Sequence, residues 1–250
     1  MVARDGSCLI RKISHYLDLT EDEKRLLARL EETSRKLRRD EILIEEDGEL
    51  REMFVVSEGW LYTYTHTLDG RRQVFEVHFP GDIVGASQAP FERIGYGVAA
   101  ATEAIVCPFP KRSLNAIFSR SPALTALFYA FAVLDHATIL DRLRATGRMG
   151  AAERVLLVLL QCLARLRITD PDRQDGLDMP LRQELIGDMV GLSNISVSHA
   201  LKELAQAGLI ERDARHFSFP DLQRAQTQID FSDRYYAIDT SWFPRQWEIA

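Results

Sequence analysis

The segment from 179 to 219, MPLRQELIGDMVGLSNISVSHALKELAQAGLIERDARHFSF, constrains the fold of this 250-residue chain most strongly. Apolar residues at helical spacing predict two short helices, one on each side of Gly191. Gly191 can adopt the positive φ angle that a tight turn needs, and Ser193 can cap the second helix. The expected buried positions are Leu185, Ile186, Met189, Val197, Leu201 and Leu204. Together these features predict a helix-turn-helix motif.

The residues that follow the motif predict a small β-hairpin. Gly208 ends the second helix, and the sequences at 209–210 and 216–219 alternate as strands do. The sequence ERDAR lies between them and is expected at the hairpin tip. The segment therefore predicts a winged helix-turn-helix.

The outward side chains of the second helix are small and polar, which favours contact with DNA. In such a motif the start of this helix enters the major groove. An asparagine amide suits adenine, a histidine can donate to guanine, and serine hydroxyls suit phosphates. A purely structural two-helix unit, the alternative, more usually carries Glu and Lys on its surface. The predicted DNA-contacting residues are Arg182, Gln183, Ser193, Asn194, Ser196, Ser198, His199 and Lys202.

Charge limits how such a motif can bind DNA. The chain has 31 basic and 37 acidic residues, and the stretch 182–219 has four basic and five acidic ones. Non-specific affinity for DNA grows with the number of phosphates neutralised, so one copy is expected to bind weakly. Two copies, or help from Arg142, Arg144 and Arg148, would compensate. The charge balance therefore favours a dimer.

The first half of the chain predicts a small β-domain. Residues 9–37 predict two short helices, with a capping box at Thr20 and Glu23. From 41 to 107 the period changes to that of strands, and Asp69-Gly70 is a hairpin signal. We expect an antiparallel β-roll of about 100 residues.

A long helix is expected from 122 to 146, followed by a hinge at Gly147 and Gly150 and a helix at 151–167. The long helix has apolar residues at alternating spacings of three and four. These residues either pair with a second copy of the chain or pack on the β-domain. The predicted dimer interface consists of Leu124, Leu127, Phe131, Leu134 and Thr138. The most apolar window, 155–166, is too short to span a membrane, so no membrane partner is expected.

The order of these elements, and the strings EGWLYTYTHTLDGRRQ, FPGDIVG, GRMGAAERVLLVLL and VGLSNISVSHALKELAQAGLI, resemble the Crp/Fnr superfamily of bacterial transcription regulators. The resemblance covers roughly residues 10–220. It implies an α+β fold with a cyclic-nucleotide-binding-like β-roll, a long dimerisation helix and a C-terminal winged helix-turn-helix domain. The corresponding ranges are 1–120, 121–147, 148–220 and, for a C-terminal extension, 221–250. The implied partners are double-stranded DNA, a second copy of the chain as homodimer, and RNA polymerase.

The resemblance does not extend to the residues that hold cyclic AMP. Family members that bind it use a Gly-Glu pair for the ribose and an Arg-Ser pair for the phosphate. Here Ala86, Ile94 and Gly95 stand where the Glu, the Arg and the Ser would be. We therefore predict no cofactor and no metal site, and an unknown small molecule stays open as effector.

Two alternatives to this function follow from other residues. A haem- or redox-sensing member of the same family would use His66 and His78, or Cys107, and the lone Cys8 cannot hold an iron–sulfur cluster of the family's type. A β-roll metal enzyme is the other alternative, but the six histidines show neither an HxH nor an HExxH grouping. The prediction is a regulator without enzymatic activity.

Two further features concern the compartment and the C-terminal residues. The three cysteines lack CxxC spacing and the N-terminal residues lack an apolar signal core, so reduced thiols in the cytoplasm are expected. The last 30 residues contain aromatic side chains that usually pack on something. They are expected to fold back on their own domain or to contact the partner subunit or the polymerase. These aromatic residues are Tyr235, Tyr236, Trp242, Phe243 and Trp247.

Overall fold

The computed structural model describes residues 7–170, 172–173, 175–236 and 238–244. The described residues form two compact units. The first contains residues 7–65, 76–134 and 238–244, and the second contains 66–75 and 135–236. The mixed α+β class predicted from the sequence is confirmed.

The elements of the first half of the chain are mostly strands. The helices are α1 (Cys8–Ser14), α2 (Glu21–Ala28), α3 (Leu114–Arg120) and α4 (Pro122–Arg148). The strands are β1 (Arg35–Leu37), β2 (Ile42–Ile44), β3 (Glu52–Glu58), β4 (Leu61–His66), β5 (Arg72–His78), β6 (Ile83–Val84), β7 (Gly97–Ala100) and β8 (Ala104–Pro110). The strand β1 lies where the sequence predicted helix, because its three residues pair with β8.

Two antiparallel four-stranded sheets build the predicted β-roll. Their strand orders are β1-β8-β3-β6 and β2-β7-β4-β5. Side chains from both sheets enter one core, among them Val55 and Val106 from the first sheet and Leu61 and Val98 from the second. The burial of β-branched and leucine side chains between two sheets is the main source of stability for such a domain.

Local signals in the first half of the sequence are confirmed. Thr20 accepts a hydrogen bond from the Glu23 amide, and the Glu23 carboxylate accepts one from the Thr20 amide, so the capping box forms. Gly70 has φ +79° at the turn between β4 and β5, as the hairpin signal predicts.

The second half of the chain is mainly helical. Its helices are α5 (Ala151–Thr169), α6 (Gln183–Val190), α7 (Asn194–Gln206) and α8 (Leu222–Gln228). Helix α5 is buried along most of its length and packs against α6, α7 and α8. The strands β9 (Gly176–Asp178), β10 (Glu211–Asp213) and β11 (His216–Ser218) form the wing in the order β10-β11-β9. The sequence predicted a loop at β9, and it placed residues 211–213 in the hairpin tip rather than in a strand.

The long helix α4 buries the predicted dimer residues within the chain itself. Leu124 and Leu127 are completely buried in the core of the first unit, and Leu134 is also buried. Phe131 packs against that core and lies edge-on to Tyr16. The Thr138 hydroxyl is hydrogen-bonded to another residue of the chain. This face of α4 thus lies mostly against its own chain, and the role of these residues in a dimer stays a prediction.

The described C-terminal residues fold back on the chain, and only some of them on their own domain as one of the two interpretations predicted. The Tyr235 hydroxyl lies 2.5 Å from the Thr138 hydroxyl, and the Arg165 guanidinium lies over the Tyr235 ring. Phe243 is buried in the core of the first unit. Trp247 lies outside the described residues.

Candidate nucleic-acid interface

The turn between α6 and α7 is fixed by two glycines. Gly191 ends α6 with φ +68° and ψ +39°, the left-handed conformation that the sequence predicted. Gly187 allows the backbone to approach closely, because a Cβ atom there would lie 2.4 Å from the Leu192 carbonyl oxygen. The Leu192 amide donates to the Gly187 carbonyl at 3.0 Å. The motif thus has a rigid turn, and sequence reasoning missed the role of Gly187.

Helix α7 is amphipathic and begins where the sequence predicted. The Ser193 hydroxyl accepts a hydrogen bond from the Ser196 amide at 3.1 Å, which caps the helix. Val197, Leu201 and Leu204 are buried, as predicted. Because these side chains fix the rotation of α7 about its axis, they determine which residues point outward.

The predicted DNA-contacting side chains of α7 lie on its outward face. Asn194, His199 and Lys202 lie outside the buried face, and Ser198 is beside them. The Ser193 and Ser196 hydroxyls lie 2.9 Å apart and can each accept or donate one further hydrogen bond. The structure therefore gathers donors and acceptors along one side of the first three turns of α7.

Arg182 and Gln183 lie at the start of α6. Arg182 is the N-cap residue and is exposed, and Gln183 is half-buried. The first backbone amides of a helix lack intrahelical partners and attract anions such as phosphate. Glu184 in the same turn opposes such attraction.

The wing adds basic side chains that were absent from the predicted contact set. Residues 211–216 are exposed, and Ala214 at the tip has φ +52°. The Arg212 guanidinium lies over the Phe217 ring, and the His216 Nδ1 atom lies 2.9 Å from a carboxylate oxygen of Asp178. The wing therefore presents Arg212 and Arg215 together with the acidic residues at 211 and 213.

A basic residue far away in sequence neutralises part of the acidic charge of α6. The Arg72 guanidinium donates to one Asp188 carboxylate oxygen, at 2.8 Å from Nε and 2.7 Å from a terminal nitrogen, and lies 3.5 Å from Glu184. The Gln73 amide donates to the Asp188 backbone carbonyl at 2.7 Å. All four residues belong to the second unit. Glu184 and Asp188, two of the five acidic residues in the stretch 182–219, thus lie beside Arg72, which is outside that stretch.

The β-roll positions that would hold cyclic AMP contain no suitable groups. Ile94 is buried in the roll core, and Ala86 and Gly95 have no polar side chain. The Tyr64 ring lies against the backbone of Gly97, where a Cβ atom would come within 2.7 Å of it. A cyclic phosphate needs a cation and hydroxyl donors. The residues present therefore do not fit a cyclic nucleotide held in that way.

The histidines and cysteines of the described residues offer little for metal or redox chemistry. His78 is buried and its Nε2 atom lies 2.7 Å from the Thr63 hydroxyl, whereas His66 is exposed. Burial raises the pKa of Cys8 above its ordinary value and that of Cys162 to about 11, so both thiols are weak nucleophiles. Within the described residues no three His, Cys, Asp or Glu side chains are grouped to hold a metal ion.

Sequence comparison matches both halves of the chain to known domain families. Residues 34–121 match the cyclic nucleotide-binding domain, and residues 153–224 match the Crp-like helix-turn-helix domain. The nitrogen fixation regulation protein FixK of Rhizobium meliloti (strain 1021) is 31% identical over 65% of this chain and 71% of its own length. The transcriptional activator protein FnrL of Cereibacter sphaeroides is 25% identical over 65% of this chain and 66% of its own. The matched stretch thus spans about two thirds of these relatives.

Structure comparison leads to the same kind of protein. The structure of FixK2 from Bradyrhizobium japonicum superposes with a TM-score of 0.68 at 26% identity, over 78% of this chain and 96% of that one. A CRP-family transcriptional regulator of Thermus thermophilus, TTHB099, has a TM-score of 0.60 at 20% identity, over 79% and 97%. TTHB099, like FnrL and FixK in the sequence comparison, bears the name of a regulator.

Proposed function

Because the chain belongs to the Crp/Fnr superfamily of transcription regulators, we propose that it binds a palindromic operator as a homodimer and acts on RNA polymerase. The outward face of α7 is the observation that carries this proposal. Its buried face locks the helix in place, and its exposed face presents an amide, an imidazole, hydroxyls and an ammonium group. Such a set suits base edges and phosphates. Asn194 and His199 are proposed to contact bases, and Lys202 to contact phosphate.

A second face of α4 is proposed as the dimer interface. Its outward residues follow spacings of four and three: Tyr129, Val133, His136, Leu140 and Leu143. Large exposed apolar patches mark interaction sites in soluble proteins. A helix face with this spacing is self-complementary about a twofold axis, because each copy supplies the knobs and the holes.

A second protein copy fits this face better than a lipid environment. By length and composition α4 could cross a membrane, and little of its apolar window is buried. However, Arg142 donates to the Gln161 side chain at 3.0 Å and Arg234 donates to Asp141 at 3.3 Å. These bonds hold α4 against other polar parts of the same unit. We therefore propose a cytoplasmic protein that pairs through the exposed face of α4.

The charge of the motif supports the need for two copies. Even with Arg72 included, basic and acidic residues are nearly balanced around α6 and α7. Affinity from phosphate neutralisation is therefore small for one copy. Two linked recognition helices bind one operator with an affinity that neither reaches alone.

Regulation through a small molecule would need an effector other than a conventionally bound cyclic nucleotide. The β-roll retains the family fold, but Ile94 and Gly95 supply neither a cation nor a hydroxyl. We propose that the chain binds DNA without cyclic AMP. Its activity would then depend on its abundance or on an effector of different chemistry.

Selection of bound sequences from a random DNA pool tests this function. The protein is first freed of small molecules, and the pool is recovered after several rounds of binding. We expect a palindrome whose half-sites are about one helical turn apart. A Lys202→Ala variant should select the same sequence and bind it more weakly, because a phosphate contact carries no sequence information. Enrichment of no sequence, with or without added cell extract, would contradict the proposal.

A further inference from the structure

Ile195 is an apolar side chain in the middle of a polar surface. It is 72% exposed, whereas every other Leu, Ile, Val, Met or Phe in the segment 179–219 is buried or half-buried. Isoleucine is also a weaker helix former than alanine or glutamate, so helix stability does not account for its presence on an exposed face. Packing within the chain therefore uses little of this side chain, and its place on α7 leaves it available for contact with another molecule.

Its place in α7 is well defined. Ile195 is the second residue of the helix, and the Ser193 cap fixes where the helix begins. It lies one turn before His199 on the same outward face, and it directly follows Asn194. A β-branched side chain in a helix has essentially one rotamer, so its two branches are held in a fixed direction. Its position is the part of a recognition helix that meets base edges.

The major groove presents one apolar group to such a side chain. Base edges there carry hydrogen-bond donors and acceptors, apart from the C5-methyl group of thymine. An isoleucine side chain can neither donate nor accept a hydrogen bond. Its contact with the thymine methyl group is favourable because it removes apolar surface of both groups from water. Its neighbours on α7 are polar, so the surface around it does not form a patch of the kind that binds another protein.

We propose that Ile195 contacts the methyl group of a thymine in each operator half-site, and that it selects an A·T pair there with thymine on the facing strand. This inference rests on the proposed function and specifies one position of its operator. The neighbouring Asn194 and His199 supply the polar contacts, and Ile195 supplies a contact that depends on a single methyl group.

Replacement of thymine by deoxyuracil tests the proposal, because it removes only that methyl group. The operator obtained by selection is synthesised with one symmetric pair of thymines replaced at a time, and binding to the full-length protein is measured. We expect the replacement to lower affinity at one position only, about fourfold when one half-site is changed and about fifteenfold when both are changed. A decrease of about fourfold is the effect expected from the loss of one buried methyl group. Ile195→Val should keep this dependence, and Ile195→Ala should lose it at that position alone.

A matched variant separates this contact from a general loss of binding. His199→Ala should weaken binding while keeping the dependence on the thymine methyl group. The proposal is overturned if no position depends on the methyl group in the wild type, or if Ile195→Ala keeps the dependence unchanged. Such a result on an enriched palindrome would leave the proposed function intact. Enrichment of no sequence would overturn both.

Discussion

Replacement of Leu143 by alanine should weaken dimerisation strongly. Leu143 is 67% exposed on the outward face of α4. Full burial of a leucine contributes roughly 1.5–3 kcal/mol, so about two thirds of that, or roughly 1–2 kcal/mol, is available from each copy. Twofold symmetry removes the contact twice, which gives roughly 2–4 kcal/mol. The dissociation constant of the dimer should therefore rise roughly 30-fold to 700-fold.

Sedimentation equilibrium over a wide range of protein concentration measures this constant directly. Leu68→Ala is the matched control, because Leu68 is fully exposed at the tip of the β4–β5 hairpin and lies off α4. Leu68→Ala should unfold at the wild-type temperature, and Leu143→Ala should do so at protein concentrations low enough for the wild type to be monomeric, because the side chain is exposed in the single chain. Equal dissociation constants for Leu143→Ala and Leu68→Ala would refute the assignment of this face to the dimer.

Three other perturbations have defined outcomes. Phe243→Ala should lower the free energy of unfolding by about 3 kcal/mol in chemical denaturation, whereas Trp242→Ala, at an exposed neighbour, should change it far less. Burial raises the pKa of Glu31 above its ordinary value of 4.5, so the free-energy cost of its charge develops as the pH rises from that value to the folded-state pKa and persists at higher pH. Glu31→Gln should therefore raise the melting temperature at pH 7 and leave it unchanged near pH 3. Since burial raises the pKa of Cys162 to about 11, iodoacetamide at pH 8 should label Cys162 only after unfolding, as mass spectrometry would show.

Features that depend on a few neighbouring residues could be predicted from the sequence. The capping box at Thr20, the turn at Gly70, the left-handed Gly191 and the cap at Ser193 each involve at most four consecutive residues. Hydrogen bonds between residues so close in sequence depend mainly on residue type, so tertiary packing did not alter them. The helix-turn-helix motif could be predicted from the sequence for the same reason.

Contacts between distant residues could not be predicted in this way. Arg72 and Asp188 are 116 positions apart, and no periodicity relates them. The strand β9 lies in a polar stretch, and it forms because β11 offers it backbone partners. In both cases the structure depends on what the fold brings together rather than on local preference.

The two faces of α4 show why a spacing pattern alone does not select one interface. The residues from Leu124 to Thr138 and those from Tyr129 to Leu143 both follow spacings of three and four, so either series could form a seam. Tertiary packing decides between them, because the first series is covered by the chain itself and the second is left largely exposed.

This division gives the helix two separable tasks. Leu127, which is completely buried, contributes to folding of the β-roll unit, whereas Leu143 is free to contribute to association. Leu127→Ala should therefore lower the free energy of unfolding, whereas Leu143→Ala should lower the affinity of the dimer. In the proposed dimer, one continuous backbone therefore carries the side chains that stabilise each copy and those that pair the two copies.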